Sequence, residues 1–376
     1  MKKLKKIEYQ KPIKIGPFEI VYGNITHSIP ESSILSISVQ DKLIVHSGDW
    51  KIDKNPLVGN KTDIKFLRNL SKRGVDILVC DSTNIFNKNF SGSENDVRKN
   101  LLKIIKESSS NRIYITTFAS NIARLSTLIF IAEKLNIKIC FIGGSLNRSI
   151  EIANACGYLD RSKNYINSSE ISKNDKTIIV CTGCQGEPRA VLSRIAYDNH
   201  NIKFKNNDLL IFSSKIIPGN EKKLYKLHNQ LVREGVEVIS EETDFVHVSG
   251  HPNRDELKDM YNWIKPKSLI PVHGEQRHML EHIHFAKEMK VPFPIKVENG
   301  DIVRISNEGN IELFDKAPYG KIFLDGEVGV DEDAISIKER KNLSNNGYLG
   351  ITILINTSGN IHNKPLVTFR GLPVYE

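Results

Sequence analysis

The chain has 376 residues, enough for two or three domains, with 39% hydrophobic and 26% charged residues, the composition of a globular rather than a disordered protein. No apolar run approaches the length of a membrane span, which excludes a helical membrane protein as the reading. The net charge of +9 suits a polyanionic partner, nucleic acid above all, although a composition rich in Lys and Asn also produces such a charge by itself. The opening residues M-K-K-L-K-K are basic, and the I-E-Y-Q that follows offers no apolar core for a signal peptide. Five cysteines, an odd number, point to a reducing cytoplasm. Cys181 and Cys184 form a C-x-x-C without a second pair, so a structural zinc knuckle is not expected.

Residues 1–17 are polar and begin as a ragged strand. Phe18–Val21 reads as a strand and leads to T-H-S-I-P, which carries His27. Ile34–Val39 and Lys42–His46 read as an antiparallel hairpin ending in S-G-D-W-K-I-D, with Asp49 at its centre. Ile64, Leu67 and Leu70 have helical spacing, and Val75–Cys80 is an apolar strand that ends in D-S-T-N at Asp81. From about Lys88 the pattern changes to repeated strand, turn and helix. Val97, Leu101, Ile104 and Ile105 mark one helix; Ile122, Leu125, Ile129 and Ala132 mark another. The strands are Arg112–Thr117, Ile137–Ile142, Lys176–Val180 and Asp208–Phe212, with Gly, Ser and Thr at their ends. This alternation indicates a parallel sheet, whose strand ends can turn backbone N–H groups toward a phosphate.

The stretch from Asp244 to Glu275 is the most informative. Phe245, Val246 and Val248 read as a short strand ending in Ser249-Gly250-His251. Asn253 and Glu256 have capping-box spacing ahead of a helix with Leu257, Met260, Tyr261 and Ile264 on one face. Ser268–Val272 is a strand ending in His273-Gly274-Glu275. Read as βαβ, the unit brings both histidine-bearing ends to one carboxyl edge, where α/β proteins place ligands. Further on, Met279, Ile283 and Ala286 mark a helix whose His282-Ile283-His284 is expected on a solvated face, since i and i+2 do not share a helix face. Ile295–Ile305 and Ile311–Phe314 read as short closing strands, and Tyr348–Ile355 with Leu366–Phe369 as a hairpin about T-S-G-N.

A lone histidine or aspartate at a strand end is ordinarily structural. Here T-H-S-I-P, G-D-W-K-I-D, D-S-T-N, T-F-A-S-N, T-G-C-Q-G-E-P-R-A, H-V-S-G-H and I-P-V-H-G-E follow one another in a single order. That series resembles ribonuclease J, of the metallo-β-lactamase/β-CASP ribonucleases. The resemblance implies an α/β fold: a partial metallo-β-lactamase αββα domain with an inserted β-CASP domain and a truncated carboxyl-terminal α+β segment. The implied bounds are 1–87 and 245–315 for the metallo-β-lactamase domain, 88–244 for the β-CASP domain, and 316–376 for a linker and the start of a further domain.

The resemblance further implies metal-dependent hydrolysis of RNA phosphodiesters, by 5′-to-3′ exonuclease and endonuclease action in RNA processing and decay. It implies a two-metal site, usually Zn2+, with Mn2+ or Mg2+ as substitutes. By the resemblance, His27, Asp49 and His273 are metal ligands, with Asp49 bridging. His251 would act at the scissile phosphate as general acid, and Asp81 would orient it. His247, Val248, Ser249, Gly250 and His251 would cradle a phosphate, and Ser120 and Asn121 are further candidates for a terminal-phosphate pocket. The implied partner is single-stranded RNA with a 5′-monophosphate, acted on in the cytoplasm and away from membranes.

The sequence departs from that pattern in three places. Cys184 stands where a serine is expected, and G-G-S at 143–145 lacks the arginine of the family's G-R-S, a bidentate phosphate donor. None of the 11 histidines lies in an H-x-H-x-D-H, the family's main ligand loop. Two alternatives to a complete nuclease therefore stand: a catalytically inactive RNA-binding or assembly subunit, or the carboxyl-terminal piece of a split enzyme that depends on a homo-oligomer or a partner for the missing loop. A small-molecule hydrolase of the lactamase type is disfavoured by the long insertion.

Overall fold

The opening meander is set by alternation. In β1 (Ile13–Ile15), β2 (Phe18–Asn24), β3 (Ser33–Val39) and β4 (Lys42–His46), neighbours pair antiparallel, and Ile34, Leu43 and Val45 point inward at every second residue. The computed structural model describes residues 6–160, 163–172, 175–306 and 310–373, so residues 1–5 of the basic opening segment lie outside the described residues. Helix α1 (Ile64–Arg73) starts where the Asp63 side chain accepts the Phe66 N–H, and it buries Phe66, Leu67 and Leu70. Strand β5 (Ile77–Asp81) then runs parallel to β4.

The next block is built on helices and parallel strands in alternation: α2 (Glu94–Glu107), β6 (Arg112–Thr116), α3 (Ile122–Lys134), β7 (Lys138–Ile142), α4 (Gly144–Ala155), β8 (Thr177–Cys181), α5 (Val191–Ala196), β9 (Leu209–Phe212), α6 (Glu221–Arg233) and β10 (Glu237–Ile239). The five strands lie in the order β10-β9-β6-β8-β7, all parallel. Both faces are covered. Ile113, Ile115, Ile178 and Val180 pack with Leu101, Leu125 and Leu128 on one side, while Tyr114, Ile179, Leu210 and Phe212 pack with Leu192, Leu224 and Leu227 on the other. Double coverage explains why these strands read as continuous apolar runs. Each such side chain contributes about 1.5–3 kcal/mol by leaving water. Cys181 and Cys184 are free thiols buried here, and burial pushes the Cys184 thiol up to about 11.

The chain then returns to the first sheet. Helix α7 (Arg254–Ile264) begins with the Asn253/Glu256 capping box and ends at Lys265 in the left-handed region. Strand β11 (Ser268–Val272), α8 (Gln276–Glu288) and β12 (Phe293–Pro294) follow, completing a seven-stranded sheet in the order β1-β2-β3-β4-β5-β11-β12. Met1–Val297 with Ile305–Glu312 forms one compact unit, and Glu298–Arg304 with Leu313–Glu376 a second. Beyond β12 the strands pair in twos: β13 (Asp301–Ile305) with β14 (Ile311–Lys316), β15 (Ile322–Asp325) with β16 (Val328–Asp331), and, after α9 (Ile335–Asn346), β17 (Tyr348–Thr352) with β18 (Leu366–Arg370). The expected strand Ile295–Ile305 is cut by a turn in which Gly300 has φ 89°, leaving only its second half as β13. No helix among the described residues is long and apolar enough to cross a membrane.

One expectation is corrected. Phe245, Val246 and Val248 are extended but join no sheet, so the segment before α7 is not the first strand of a βαβ unit. Side chains of the inserted block take its carbonyls instead: Arg124 and Ser213 donate to Val246 O at 2.9 and 2.7 Å, and Asn100 donates to Phe245 O at 3.0 Å. Val246 and Val248 bury their side chains in the core of that block. Strand β11 instead lies parallel between β5 and β12, with Val272 opposite Asp81.

Arg124 is central to this junction. Its guanidinium is fully buried, pairs with Glu94 through both Nε and Nη2 at 3.1 Å, and donates to Ser213 O at 2.8 Å. Burial would push Glu94 up, but the guanidinium beside it holds its carboxyl below the usual range. Removing one partner strands the other charge in the interior. We therefore expect Arg124→Ala to lower unfolding stability by about 3–5 kcal/mol in urea. The Arg124→Ala/Glu94→Ala pair should cost clearly less than the sum of the single changes, and strict additivity would show that the two groups are not coupled.

Candidate metal centre

Four chain segments converge at the carboxyl end of β5. The first is the turn after β4. Ser47 N donates to Val79 O at 2.9 Å and Ser47 Oγ accepts the Asp81 N–H at 3.2 Å, which stitches that turn to β5. Gly48, at φ 60°, allows the chain to double back and leave Asp49 at the rim. The second segment is tied to the first by the Thr26–Lys51 bridge, where Lys51 N donates to Thr26 O at 2.8 Å and sets His27 beside Asp49. The third and fourth bring His251, ahead of α7, and His273, after β11.

Asp81 is the hub. Its Oδ1 accepts from Thr83 N at 2.9 Å and Thr83 Oγ1 at 2.6 Å, and its Oδ2 accepts from His251 Nδ1 at 2.6 Å. A carboxylate can only accept, so the Thr83 hydroxyl spends its hydrogen on Asp81. The same oxygen is then left to accept His273 Nδ1–H, also at 2.6 Å. Burial opposes ionisation of Asp81, yet the His251 bond holds its carboxyl below the ordinary value. Burial likewise works against a charged His251, while the Asp81 bond and charge carry it above the ordinary imidazole value. His27 donates Nδ1–H to Gly250 O at 2.6 Å, and burial keeps its pKa below the ordinary value. A Cβ on Gly250 would stand 2.7 Å from His27 Cε1, so this bond requires glycine there. His273 itself has φ 61°, a conformation that costs a non-glycine residue free energy and that recurs at functional sites.

Asp49, Asp81, His251 and His273 each place one potential ligand atom within 4.8 Å of the others. Proximity alone overstates Asp81, because both its oxygens are already occupied. The donors that remain are the Asp49 carboxylate and Nε2 of His273, of His251, whose Nδ1 alone is taken by Asp81, and of His27, which also meets Ser28 Oγ at 3.3 Å; the His27 and His273 nitrogens stand 4.0 and 3.6 Å from the two Asp49 oxygens. Two imidazoles facing a shared carboxylate, each oriented by a bond at Nδ1, form an N/O donor set suited to zinc or manganese.

The centre opens into a cleft of about 740 Å³ lined by Asn84, Phe86, Phe118, Lys215, His247, Ser249, His251, His273 and Arg277, among others. Ser249 Oγ accepts from Asn84 Nδ2 at 2.7 Å and from His251 N at 3.1 Å. His247 is partly buried and lines the cleft, its Nδ1 is buried without a hydrogen-bond partner, and desolvation pushes its pKa down to about 3. Val248 faces the core, so it offers the cleft only backbone. Asn121 lines the cleft, but its side chain caps α3 and donates to Glu94 at 3.2 Å; Ser120 is exposed and outside the lining. Thr83, Asn84, Phe86, Lys215 and Arg277 were not singled out from the sequence, although D-S-T-N and S-S-K marked strand ends where such groups occur.

The reading of His282 is corrected. It is fully buried, with its ring nitrogens bonded to Ser82 Oγ at 2.8 Å and to Tyr261 Oη, and burial pushes its pKa down to about 3. His284 is exposed beside Glu281. Residues two apart point to different sides of a helix, so the pair divides between core and solvent. His282 thereby buttresses Ser82, next to Asp81, from below.

Known proteins resemble this chain over most of its length. Residues 110–231 match the ribonuclease J beta-CASP domain, and residues 222–297 match the Zn-dependent metallo-hydrolase RNA specificity domain. The chain is 37% identical over 367 residues to ribonuclease J of Sinorhizobium meliloti, covering 97% of this chain and 65% of the relative. It is 35% identical to ribonuclease J of Corynebacterium glutamicum, over 98% of this chain and 52% of that protein, and 35% identical to that of Helicobacter pylori, over 93% and 51%. The chain thus spans roughly half to two-thirds of these relatives' length. A protein of unknown function from Enterococcus faecalis V583 shares the fold, with a TM-score of 0.55 at 14% identity over 84% of this chain and 68% of that one. The motif order, the metallo-hydrolase and beta-CASP matches and the ribonuclease J relatives together place this chain in the ribonuclease J family.

Proposed function

We propose that this chain supplies most of a metal-dependent ribonuclease that hydrolyses phosphodiesters of single-stranded RNA, with preference for a 5′-monophosphate. One observation carries the proposal: Nε2 of His27 and of His273 stand 4.0 and 3.6 Å from the two oxygens of Asp49, and His273 lines a cleft that also holds His251, Ser249 and Lys215. His27, Asp49 and His273 would hold the metal, Asp49 shared between two positions, with zinc or manganese the fitting ions. When bound, the metal would polarise the scissile phosphate and lower the pKa of a water.

The remaining steps belong to the chain. Lys215, whose Nζ lies 3.4 Å from Asn84 Oδ1, and the Ser249–Gly250 backbone would position the phosphate. Asp81 holds the Nδ1 side of His251, which turns Nε2 toward the cleft as proton donor to the leaving oxygen. Thr83 holds His273 in the tautomer that leaves Nε2 free.

A second reading is favoured by a specific feature of the sequence. It contains no H-x-H-x-D-H, so Asp49 and the strand-end and loop histidines would have to hold the metal without the loop that the family's two-metal site uses. On this reading the chain binds RNA without cutting it, or gains the ligand loop from a partner.

Elemental analysis of the chain purified without chelators should find substoichiometric, weakly held zinc, reduced further by Asp49→Ala. Two tightly held ions per chain would show that other groups complete the centre. Cleavage of 5′-monophosphorylated RNA should appear when a ribonuclease J segment bearing H-x-H-x-D-H is co-expressed, and should vanish with Asp49→Ala. A stable, metal-loaded complex that does not cleave would favour the binding subunit, and robust Asp49-dependent cleavage by the chain alone would remove the need for a partner. Gly250→Ala should displace the His27 ring and weaken metal binding in that complex by about 10–100-fold, the range for lost outer contacts, with the fold intact by circular dichroism.

A further inference from the structure

We infer that Phe86 is a platform on which one RNA base stacks, next to the nucleotide whose phosphate meets His251 and His273; this rests on the RNA reading above. The residue belongs to the loop that leaves β5. Its backbone neighbours are fixed: Ile85 is fully buried, Ile85 O accepts Arg254 Nε at 2.8 Å, Asn87 O accepts Arg254 N at 3.0 Å, and Asn84 is bonded to Ser249 and to His251 O. From this rigid mount the Phe86 ring projects 47% exposed into the wall of the same cleft that holds His251 and His273.

A single exposed phenylalanine needs no explanation by itself. What distinguishes this one is its company. The Arg277 guanidinium lies over the ring, 5.4 Å from its centroid, and the His278 ring meets it edge-on at 5.2 Å. Glu275 Oε2 forms an ion pair with Arg277, 3.4 Å from its Nε. The Glu275 carboxylate on this lip repels phosphate, so what the lip suits is a base rather than the backbone. An aromatic face beside a planar cation, in a positively charged chain, is the composition that stacks single-stranded bases without reading their identity. Thr83 and Phe86 are three residues apart on one loop, so the loop that orients His273 also carries the stacking ring.

The test uses the full chain with EDTA present to suppress cleavage. A set of 5′-phosphorylated seven-nucleotide RNAs, each with one abasic position, is titrated against the parent, Phe86→Leu and Phe86→Trp. One abasic position should weaken binding to the parent by at least about fivefold, the lower end for a stacked base. Phe86→Leu should lose a similar factor on intact RNA and show no further loss at that position, and Phe86→Trp should restore it. A 2-aminopurine at the same position should be quenched by the parent and not by Phe86→Leu. Equal affinity of parent and Phe86→Leu, or losses that simply multiply, would overturn the platform while leaving the RNA reading in place. Absence of any RNA binding by the parent would overturn both.

Discussion

A carboxylate almost wholly withdrawn from water must have its lone pairs answered, and at Asp81 this requirement organises the centre. Its partners are Thr83 and His251, and Thr83 passes the constraint on to His273. One buried acid thereby sets the orientation of two imidazoles from a distant part of the chain. Asp81 can do this because it ends β5 and because β11 lies in register beside it, with Val272 opposite Asp81. His282 supports the arrangement from beneath, a neutral ring held between Ser82 and Tyr261.

The same economy governs how the two α/β blocks meet. The segment entering α7 has no strand neighbour, so its carbonyls are satisfied by Arg124, Ser213 and Asn100 of the inserted block. Arg124 is itself neutralised by Glu94, and Glu94 is held in turn by Asn121. Buried polar groups of this kind tolerate little rearrangement, because each partner lost leaves another unsatisfied. The segment that carries His247 to His251 is thus positioned from the insertion and from Asp81 at once. Its path matters to chemistry, since Gly250 O fixes His27 and the Ser249 hydroxyl faces the cleft.

Proximity and availability separate at this centre. The tightest group of potential ligands includes Asp81, yet both Asp81 oxygens are taken by Thr83 and His251, whereas Asp49 and the Nε2 sides of His251, His273 and His27 are not spent on that acid. A metal site is defined by lone pairs that remain free after the second set of bonds is made, and only the bond network shows which these are.

Much of this was legible in residue order alone. Apolar runs ending in D-S-T-N and V-H-G-E located strand ends, and Asn253 with Glu256 located the start of α7, because period and capping are local properties that need no partner. The parallel character of the insertion followed from its repeated alternation of strand, turn and helix, since each crossover helix returns the chain to start the next strand in the same direction. The extended segment Phe245–Val248 could not be told from a strand, because side-chain alternation is the same whether carbonyls are met by a neighbouring strand or by Arg124. The fate of His282 was equally hidden, since nothing local says which side of α8 will be covered. Sequence by itself determined which residues could act and the elements that carry them; the tertiary structure alone decided which of their atoms meet and which stay free, because hydrogen bonds between residues 170 to 223 apart, such as Asp81 with His251 and His27 with Gly250, exist only once the sheets have assembled.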